Sequence, residues 1–112
     1  MNELEIFKNE EFGEIRMLSK DGNPWFCLSD LCKALELSNP SQVKTRLKDD
    51  GLISNEVIDS IGRSQNAIFV NESNFYKTVF QSKKKEVEKF VDWVTSEVLK
   101  IMKNITENKQ NL

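Results

Sequence analysis

Hydrophobic and polar residues alternate along the first third of the chain. Leu4 and Ile6 follow this two-residue period, and Ile15 and Met17 follow it again, which indicates half-buried β-strands. The Asp-Gly pair at residues 21–22 precedes an apolar run and is typical of a tight hairpin turn. We therefore predict a small antiparallel sheet near the start of the chain.

The pattern then changes to a helical period. Apolar residues recur three and four positions apart after Ser29, which predicts a short helix that ends near Leu37. Ser29 is expected to be the N-cap of this helix. A second helix follows almost at once. Asn39 is expected to cap it, and Pro40 suits its first position because proline has a fixed φ and no N–H.

This second helix is expected to bury one side and to expose a basic one. Val43 and Leu47 form the predicted buried stripe, and at about 100° per residue the opposite face is polar. The outward residues and the bases that flank them are Ser41, Gln42, Lys44, Thr45, Arg46 and Lys48. Short polar side chains between bases suit a groove of DNA, and they also describe an ordinary solvated helix.

A second hairpin is predicted in the middle of the chain. Val57, Ile58 and Ile61 indicate one strand, and another apolar strand follows a loop at residues 62–66. Arg63 lies in this loop among small polar residues. It is either a contact for a phosphate backbone or part of a flexible solvated loop.

Two more helices complete the pattern. Asn71 can cap the first of them, and the spacing of Phe75, Val79 and Phe80 assigns these three residues to the core. An aromatic stripe at helical spacing more often packs in the core than serves as a platform on which bases stack.

The last helix is expected to extend from about Lys84 to Asn104, which exceeds the needs of a small domain. Lys83, Lys84 and Lys85 lie at its start, where the helix dipole disfavours positive charge. Phosphate is a natural partner for such lysines. The alternative is a solvated basic run.

The far end of this helix carries a candidate oligomer interface. Ile101, Met102 and Ile105 continue its apolar stripe beyond the expected core, so that a homodimer could form there. Trp93 lies outside the stripe, and we assign it to packing against the hairpins. These elements predict an α+β fold in which small antiparallel hairpins pack with about four helices and a long C-terminal helix.

Length and charge modify this picture. The 112 residues suit one domain, expected over residues 1–105, with a frayed polar tail at 106–112. The net charge of −2 opposes a dedicated nucleic-acid binder. However, residues 37–48 hold three bases and no acid, and residues 63–85 hold five bases and one acid. A locally positive face is therefore compatible with an acidic chain.

Several function classes are excluded by residue types. The chain has no His, and Cys27 and Cys32 are its only cysteines, so we expect buried thiols, no metal and no cofactor. Serine or cysteine nucleophile chemistry that relies on histidine is excluded, and no glycine-rich phosphate loop occurs. We therefore predict a protein without enzymatic activity. The chain lacks a long apolar run, and its N-terminus is acidic. Both features predict a cytosolic protein.

Three segments carry a resemblance to a known family. They are residues 25–40 (WFCLSDLCKALELSNP), residues 68–83 (IFVNESNFYKTVFQSK) and residues 92–103 (DWVTSEVLKIMK). In this order they resemble the N-terminal domain of the BRO family, found in phage antirepressors. The resemblance implies an α+β module of phage or large DNA virus origin that binds DNA inside a bacterial host cell. A separate C-terminal domain often follows in the family, and we expect it to be absent here.

Departures from the family pattern concern DNA affinity. Asp92 stands where a base usually precedes the Trp, and Lys100 stands where Pro is common. The first change removes a potential phosphate contact, and the second allows the helix to continue. The residues from Val43 to Lys48 also lack a His that the family often has nearby.

The primary hypothesis is a phage or prophage regulatory module that binds double-stranded DNA without catalysis. Its expected DNA-binding residues are Gln42, Lys44, Thr45, Arg46, Lys48, Arg63, Lys83, Lys84 and Lys85. The alternative is a protein-binding antirepressor or inhibitor, which captures a host or phage DNA-binding protein through the acidic residues of the segment 1–36. A structural oligomerisation module is the third possibility.

Overall fold

A computed structural model describes the backbone of residues 3–110 and the side chains of residues 4–101. Within these residues the chain forms one five-stranded antiparallel sheet and four α-helices. The strands are β1 (Glu3–Asn9), β2 (Gly13–Lys20), β3 (Asn23–Cys27), β4 (Leu52–Ile58) and β5 (Ser64–Val70). The helices are α1 (Leu28–Ala34), α2 (Pro40–Lys44), α3 (Glu72–Val79) and α4 (Val87–Gln110), and a single 3-10 turn covers Asp49–Gly51. The predicted α+β class is confirmed.

The first three strands form a meander. The turn between β2 and β3 places Asp21 and Gly22 at φ values of 53° and 79°. Two successive residues with positive φ define the turn whose twist matches that of the flanking strands. The predicted hairpin at this Asp-Gly pair is therefore confirmed.

The second hairpin joins the meander to make one sheet with the order β1-β2-β3-β5-β4. β3 and β5 pair only through Phe26 with Val70 and through Cys27 with Phe69. Among the described residues, Ser64 to Ile68 therefore pair with β4 alone and form a two-stranded ribbon.

Two predictions for this hairpin were wrong. Residues 64–66 belong to β5 and not to a loop, because each of them has a partner in β4. Ile61 was assigned to a strand, but it lies in the connecting turn and is 69% exposed. Asp59 causes both differences, since its side chain closes a tight turn directly after β4.

The main core lies between one face of the sheet and the helices. Ile15 and Met17 of β2 have no exposed surface, as their alternation predicts. Phe75 of α3 packs on Phe26 of β3 with ring centroids 4.7 Å apart. Phe90 from α4 also lies in this core and has no exposed surface. Burial of such aromatic side chains dominates the stability of a domain of this size.

Trp93 also packs as predicted. Its ring stacks on Phe12 at 6.0 Å and meets Phe90 edge-on at 6.0 Å. A second, smaller cluster lies on the opposite face of the sheet, where Leu18 and Phe69 are buried. The two free thiols, predicted to be buried, are both inaccessible.

Three helix predictions are corrected. Phe80 was assigned to the core but is 82% exposed, because α3 ends at Val79 and Phe80 lies at its C-cap. Ser29 is not an N-cap, since α1 begins at Leu28 directly after β3. α1 also ends at Ala34, three residues before Leu37.

The last helix begins later than predicted. α4 starts at Val87, so that Lys83, Lys84 and Lys85 precede it. Ile101 is half-buried against the chain's own core. The side chains of Met102, of Ile105 and of the predicted tail at 106–112 lie outside the described side chains, and the homodimer stays a prediction. Within the described part of the chain, no helix is long and apolar enough to cross a membrane.

Candidate nucleic-acid interface

The candidate site is built around α2, a helix of five residues. The side-chain oxygen of Asn39 accepts a hydrogen bond from the backbone N–H of Gln42 at 3.2 Å, and Pro40 takes the first helical position, as predicted. The hydroxyl of Thr45 donates to the carbonyl of Gln42 at 2.6 Å and lies at the C-cap. The helix therefore ends at Lys44.

The prediction that this helix continues to Lys48 was wrong. Arg46 and Lys48 lie in the turn that follows α2, although both are exposed as predicted. Val43 and Leu47 are buried, at 5% and 8% exposure, and they hold the helix and its turn against the core. The expected face therefore exists, but on a short helix and a turn.

Asn74 of α3 holds the end of this turn in place. Its amide oxygen accepts from the backbone N–H of Lys48 at 3.0 Å, and its amide nitrogen donates to the Lys48 carbonyl at 2.8 Å. Asn74 has no exposed surface, so these bonds form without competition from water. The position of the Lys48 backbone is thus set by a buried side chain from another element.

Sequence reasoning missed Asn74, although the sequence carries a signal. Asn74 lies beside Phe75 and one helical turn before Thr78 and Val79, and all four are buried. A polar residue inside a buried helical stripe needs a hydrogen-bond partner, because an unsatisfied amide is costly in the interior.

Gly51 allows the close approach on which this arrangement depends. A Cβ atom at Gly51 would lie 2.5 Å from the side-chain oxygen of Asn71 and 2.5 Å from the side-chain nitrogen of Asn74. The Asn71 oxygen caps α3 by accepting from the Asn74 backbone N–H at 3.0 Å. Only a residue without a side chain fits between these two amides.

The other side of α2 touches the segment that leads to the lysine run. Arg46 donates from Nη1 to the side-chain oxygen of Gln81 at 3.5 Å. The Gln81 amide nitrogen donates to the Val43 carbonyl at 3.4 Å, and the Ser82 hydroxyl donates to the Leu35 carbonyl at 2.9 Å. The structure therefore places the start of the lysine run beside α2.

The three lysines of that run differ in their surroundings. Lys84 lies 3.7 Å from the carboxylate of Glu36, donates to the Ala34 carbonyl at 3.3 Å, and has a side chain that is only 15% exposed. Its ammonium group also lies 5.4 Å from the ring centroid of Phe12. Lys84 thus stabilises the fold, whereas Lys83 and Lys85 are exposed.

Arg63 lies apart from this group, at the tip of the ribbon. Its Nε is 3.1 Å from Oδ2 of Asp59, which also accepts from Gln65, while Oδ1 of Asp59 accepts from the backbone N–H groups of Ile61 and Arg63. The hydrogen bond from the Arg63 backbone is the main cause that lowers the pKa of Asp59. Arg63 remains 68% exposed beyond this pair.

A groove of about 290 Å³, lined by polar and apolar residues in equal measure, separates α2 from the ribbon. Ser41 and Lys44 line one wall, and Gln65 and Asn66 of β5 line the other. Sequence reasoning did not select Gln65 or Asn66, because they were assigned to a loop. Arg16 closes one end of the groove.

Arg16 is already neutralised by Asp30 of α1. Its Nε lies 2.8 Å from one carboxylate oxygen and its Nη2 lies 3.0 Å from the other. Hydrogen bonding to Asp30 raises the pKa of Arg16, against the opposing effect of burial. A half-buried bidentate pair of this kind positions α1 against β2 and leaves no free positive charge.

The predicted site residues therefore fall into three groups. Gln42, Lys44, Thr45, Arg46 and Lys48 surround α2 and are all exposed. Lys83 and Lys85 follow the segment that contacts Arg46 and Val43. Arg63 is held at the ribbon tip, and Lys84 is held in the fold.

The comparisons with known proteins agree with this architecture. A model described as "BRO family, N-terminal domain" matches residues 14–100, which include every one of these candidate residues. The chain belongs to this family. The BRO-family match supports a phage-type regulatory DNA-binding domain in general.

The BRO-family domain is also similar to an uncharacterized protein of Haemophilus influenzae. The two are 31% identical over 83 residues, which are 74% of this chain and 41% of that protein. The chain thus spans about two fifths of the length of the curated relative that it matches. No solved structure matches the chain.

Proposed function

We propose that this chain is an antirepressor-like regulatory module that acts by binding double-stranded DNA and not by catalysis. The proposal rests on the α2 basic surface, which we define as Lys44, Arg46 and Lys48 with the adjacent Gln42 and Thr45. The three bases are exposed, and no acidic residue lies between positions 37 and 48. Support from the BRO-family membership is general, and the antirepressor role is part of the proposal.

The rigidity of this surface is the feature that carries the proposal. Asn74 holds the backbone of Lys48, and Gln81 contacts both Arg46 and the Val43 carbonyl. A cationic surface that is already ordered loses less entropy when it binds phosphates. A backbone fixed by such contacts presents its bases at defined positions, which suits a nucleic acid better than bases on a mobile loop.

The net charge of −2 does not prevent such binding, because charges distant from α2 are screened from it. Residues 1–36 hold eight Asp or Glu and four Lys or Arg. At physiological ionic strength, charges separated by more than about 8 Å are largely screened. The nearby acids are Asp49 and Asp50, which are exposed and directly follow Lys48, and Glu36, which lines a pocket with Arg46. Residues 37–50 hold three bases and two acids, so their net charge is +1.

The test is a fluorescence anisotropy titration of duplex DNA at two salt concentrations. If the three bases of α2 each neutralise one phosphate, affinity should fall about 40-fold between 50 and 200 mM salt. The variant Lys44→Ala/Arg46→Ala/Lys48→Ala should bind weakly and lose about 2.7 from the slope of log affinity against log salt.

A matched variant controls for net charge. Lys8→Ala/Lys89→Ala/Lys100→Ala removes the same charge, and these lysines pair with surface carboxylates away from α2. This variant should keep the salt slope of the wild type. The proposal is rejected if both variants weaken binding equally, or if the wild type binds no duplex at low salt.

The alternative of a protein-binding antirepressor has one observation in its favour. β1 is an edge strand, and its Leu4 and Ile6 are 42% and 49% exposed beside acidic residues. An exposed strand edge with apolar and acidic side chains suits a basic protein partner. Binding of a phage repressor that is lost in Leu4→Ser/Ile6→Ser, together with no DNA binding, would favour this alternative.

A further inference from the structure

The β4–β5 ribbon has the dimensions of a groove-binding element, whereas α2 does not. The five residues per strand that pair only with each other give a ribbon of roughly 17 Å, at about 3.3 Å per residue. α2 has five residues and is about 7.5 Å long. A two-stranded ribbon fits the major groove of B-DNA. α2 is short for a recognition helix and is better suited to holding the backbone.

The ribbon presents amides next to the α2 basic surface. Gln65 and Asn66 are exposed, and both line the groove that Lys44 also lines. Because they are consecutive in β5, their side chains point to opposite faces of the ribbon, and Asn66 shares its face with Ile58 and with its cross-strand partner Glu56. Within the described residues no hydrogen bond holds the Asn66 side chain, and Gln65 uses only one amide N–H, toward Asp59. Asn and Gln amides recognise adenine by donating to N7 and accepting from N6.

The ribbon tip exposes apolar side chains that do not contribute to either core. Ile58 is 64% exposed and Ile61 is 69% exposed. Exposed isoleucine stabilises nothing in the free protein, because its surface remains in contact with water. In the major groove of an A·T pair, the thymine methyl group is the apolar contact available to such side chains.

The tip is also held in one conformation. The carboxylate of Asp59 accepts from two backbone N–H groups and from the side chains of Arg63 and Gln65. The backbone N–H of Asp59 donates to the Arg63 carbonyl at 2.8 Å. This network orients Arg63 outward, where its remaining donors can meet a phosphate beside the groove.

We propose that the β4–β5 ribbon reads A·T pairs in the major groove. Asn66 contacts adenine, Ile58 on the same face of the ribbon and Ile61 at its tip contact thymine methyl groups, and the α2 basic surface holds the flanking phosphates. The inference rests on the proposed DNA binding and moves sequence discrimination from α2 to the ribbon.

The test compares an A·T-rich duplex with a G·C-rich duplex of equal length at one salt concentration. The wild type should bind the A·T-rich duplex at least about ten-fold more tightly, which is the usual size of one amide contact with adenine. Asn66→Ala should lose most of this preference and keep the salt slope of the wild type. Asn23→Ala removes an exposed amide at the β2–β3 turn and should change neither quantity.

Modified bases test the groove that is read. Replacing adenine by 7-deazaadenine removes the N7 acceptor and should weaken binding by the wild type, but not by Asn66→Ala. Replacing thymine by uracil removes the methyl group and should weaken the wild type, but not Ile58→Ser/Ile61→Ser. Circular dichroism melting checks that each variant is folded.

The outcomes separate this inference from the proposed function. An A·T preference that survives in Asn66→Ala overturns the ribbon assignment, and so does equal binding of the two duplexes by the wild type. In both cases DNA binding itself stands. Loss of affinity for both duplexes in the Lys44→Ala/Arg46→Ala/Lys48→Ala variant supports the division between phosphate and base contacts. A wild type that binds neither duplex overturns both proposals.

Discussion

Replacing Asn74 by alanine tests whether one buried amide holds the α2 turn. The change removes two hydrogen bonds to the backbone of Lys48, at 3.0 and 2.8 Å, each worth about 1 kcal/mol. It also leaves a small cavity, because Asn74 is fully buried. Alanine returns about 0.6 kcal/mol through its higher helix propensity. We expect a net loss of about 2 kcal/mol in the free energy of unfolding.

This loss corresponds to a fall in melting temperature of about 8 °C, from an unfolding entropy near 2.1 cal/mol/K per residue. Ser73→Ala, on the same helix but exposed, is the matched control and should change stability by less than about 0.5 kcal/mol. Thermal melting followed by circular dichroism measures both. The reasoning is refuted if Asn74→Ala melts within 2 °C of the control, at about 4 °C per kcal/mol. DNA affinity should also fall, because Lys48 is no longer positioned.

Two further changes test the interior. Gly51→Ala should lower the free energy of unfolding by about 2 kcal/mol, because the new Cβ would displace the Asn71 side chain that caps α3 and the amide of Asn74. A melting temperature equal to that of the wild type would contradict this prediction. Burial raises the pKa of Cys32 to about 11, so the folded protein keeps a proton that the unfolded chain releases near pH 9. The free energy of unfolding should therefore decline between about pH 9 and 11. Urea unfolding at several pH values measures this decline. A Cys32→Ala variant that shows the same decline would rule out this thiol as the cause.

Local chemistry made several elements predictable from the sequence. The turn at Asp21 and Gly22 needs two residues that tolerate positive φ, and the side chains of Asn39 and Asn71 each bond a backbone N–H three residues later. These interactions involve near neighbours in the chain. The alternation of Ile15 and its neighbours also reports burial directly, since successive side chains in a strand point to opposite faces.

Interactions between distant residues were not predictable in this way. The Lys48 backbone is held by Asn74, 26 residues away in the sequence. Periodicity alone predicted a longer helix in this region. Lys84 donates to the Ala34 carbonyl, 50 residues away, which removes it from the free bases. Phe80 matches the helical period of its neighbours but follows the last residue of α3. Periodicity shows that one face of a helix is apolar, but it does not show at which residue the helix ends.

The candidate site shows the same division. The basic character of α2 is visible in the sequence, because residues 37–48 contain three bases and no acid. The groove beside Lys44 is not visible there, since Gln65 and Asn66 reach it through the pairing of β5 with β4. Polar residues in a ribbon and polar residues in a loop have similar composition, so only the strand register distinguishes them.

The narrow junction between β3 and β5 has a consequence for folding kinetics. The meander and the β4–β5 hairpin each form from residues close in sequence, but the sheet is completed only when Phe26 and Cys27 meet Val70 and Phe69. Closing a loop of this length precedes any gain from the contact, so docking of the two halves should be the slow step. Until docking occurs, β3 has an open edge to which a second chain can add. Rapid refolding at low protein concentration should therefore give the highest yield of native molecules.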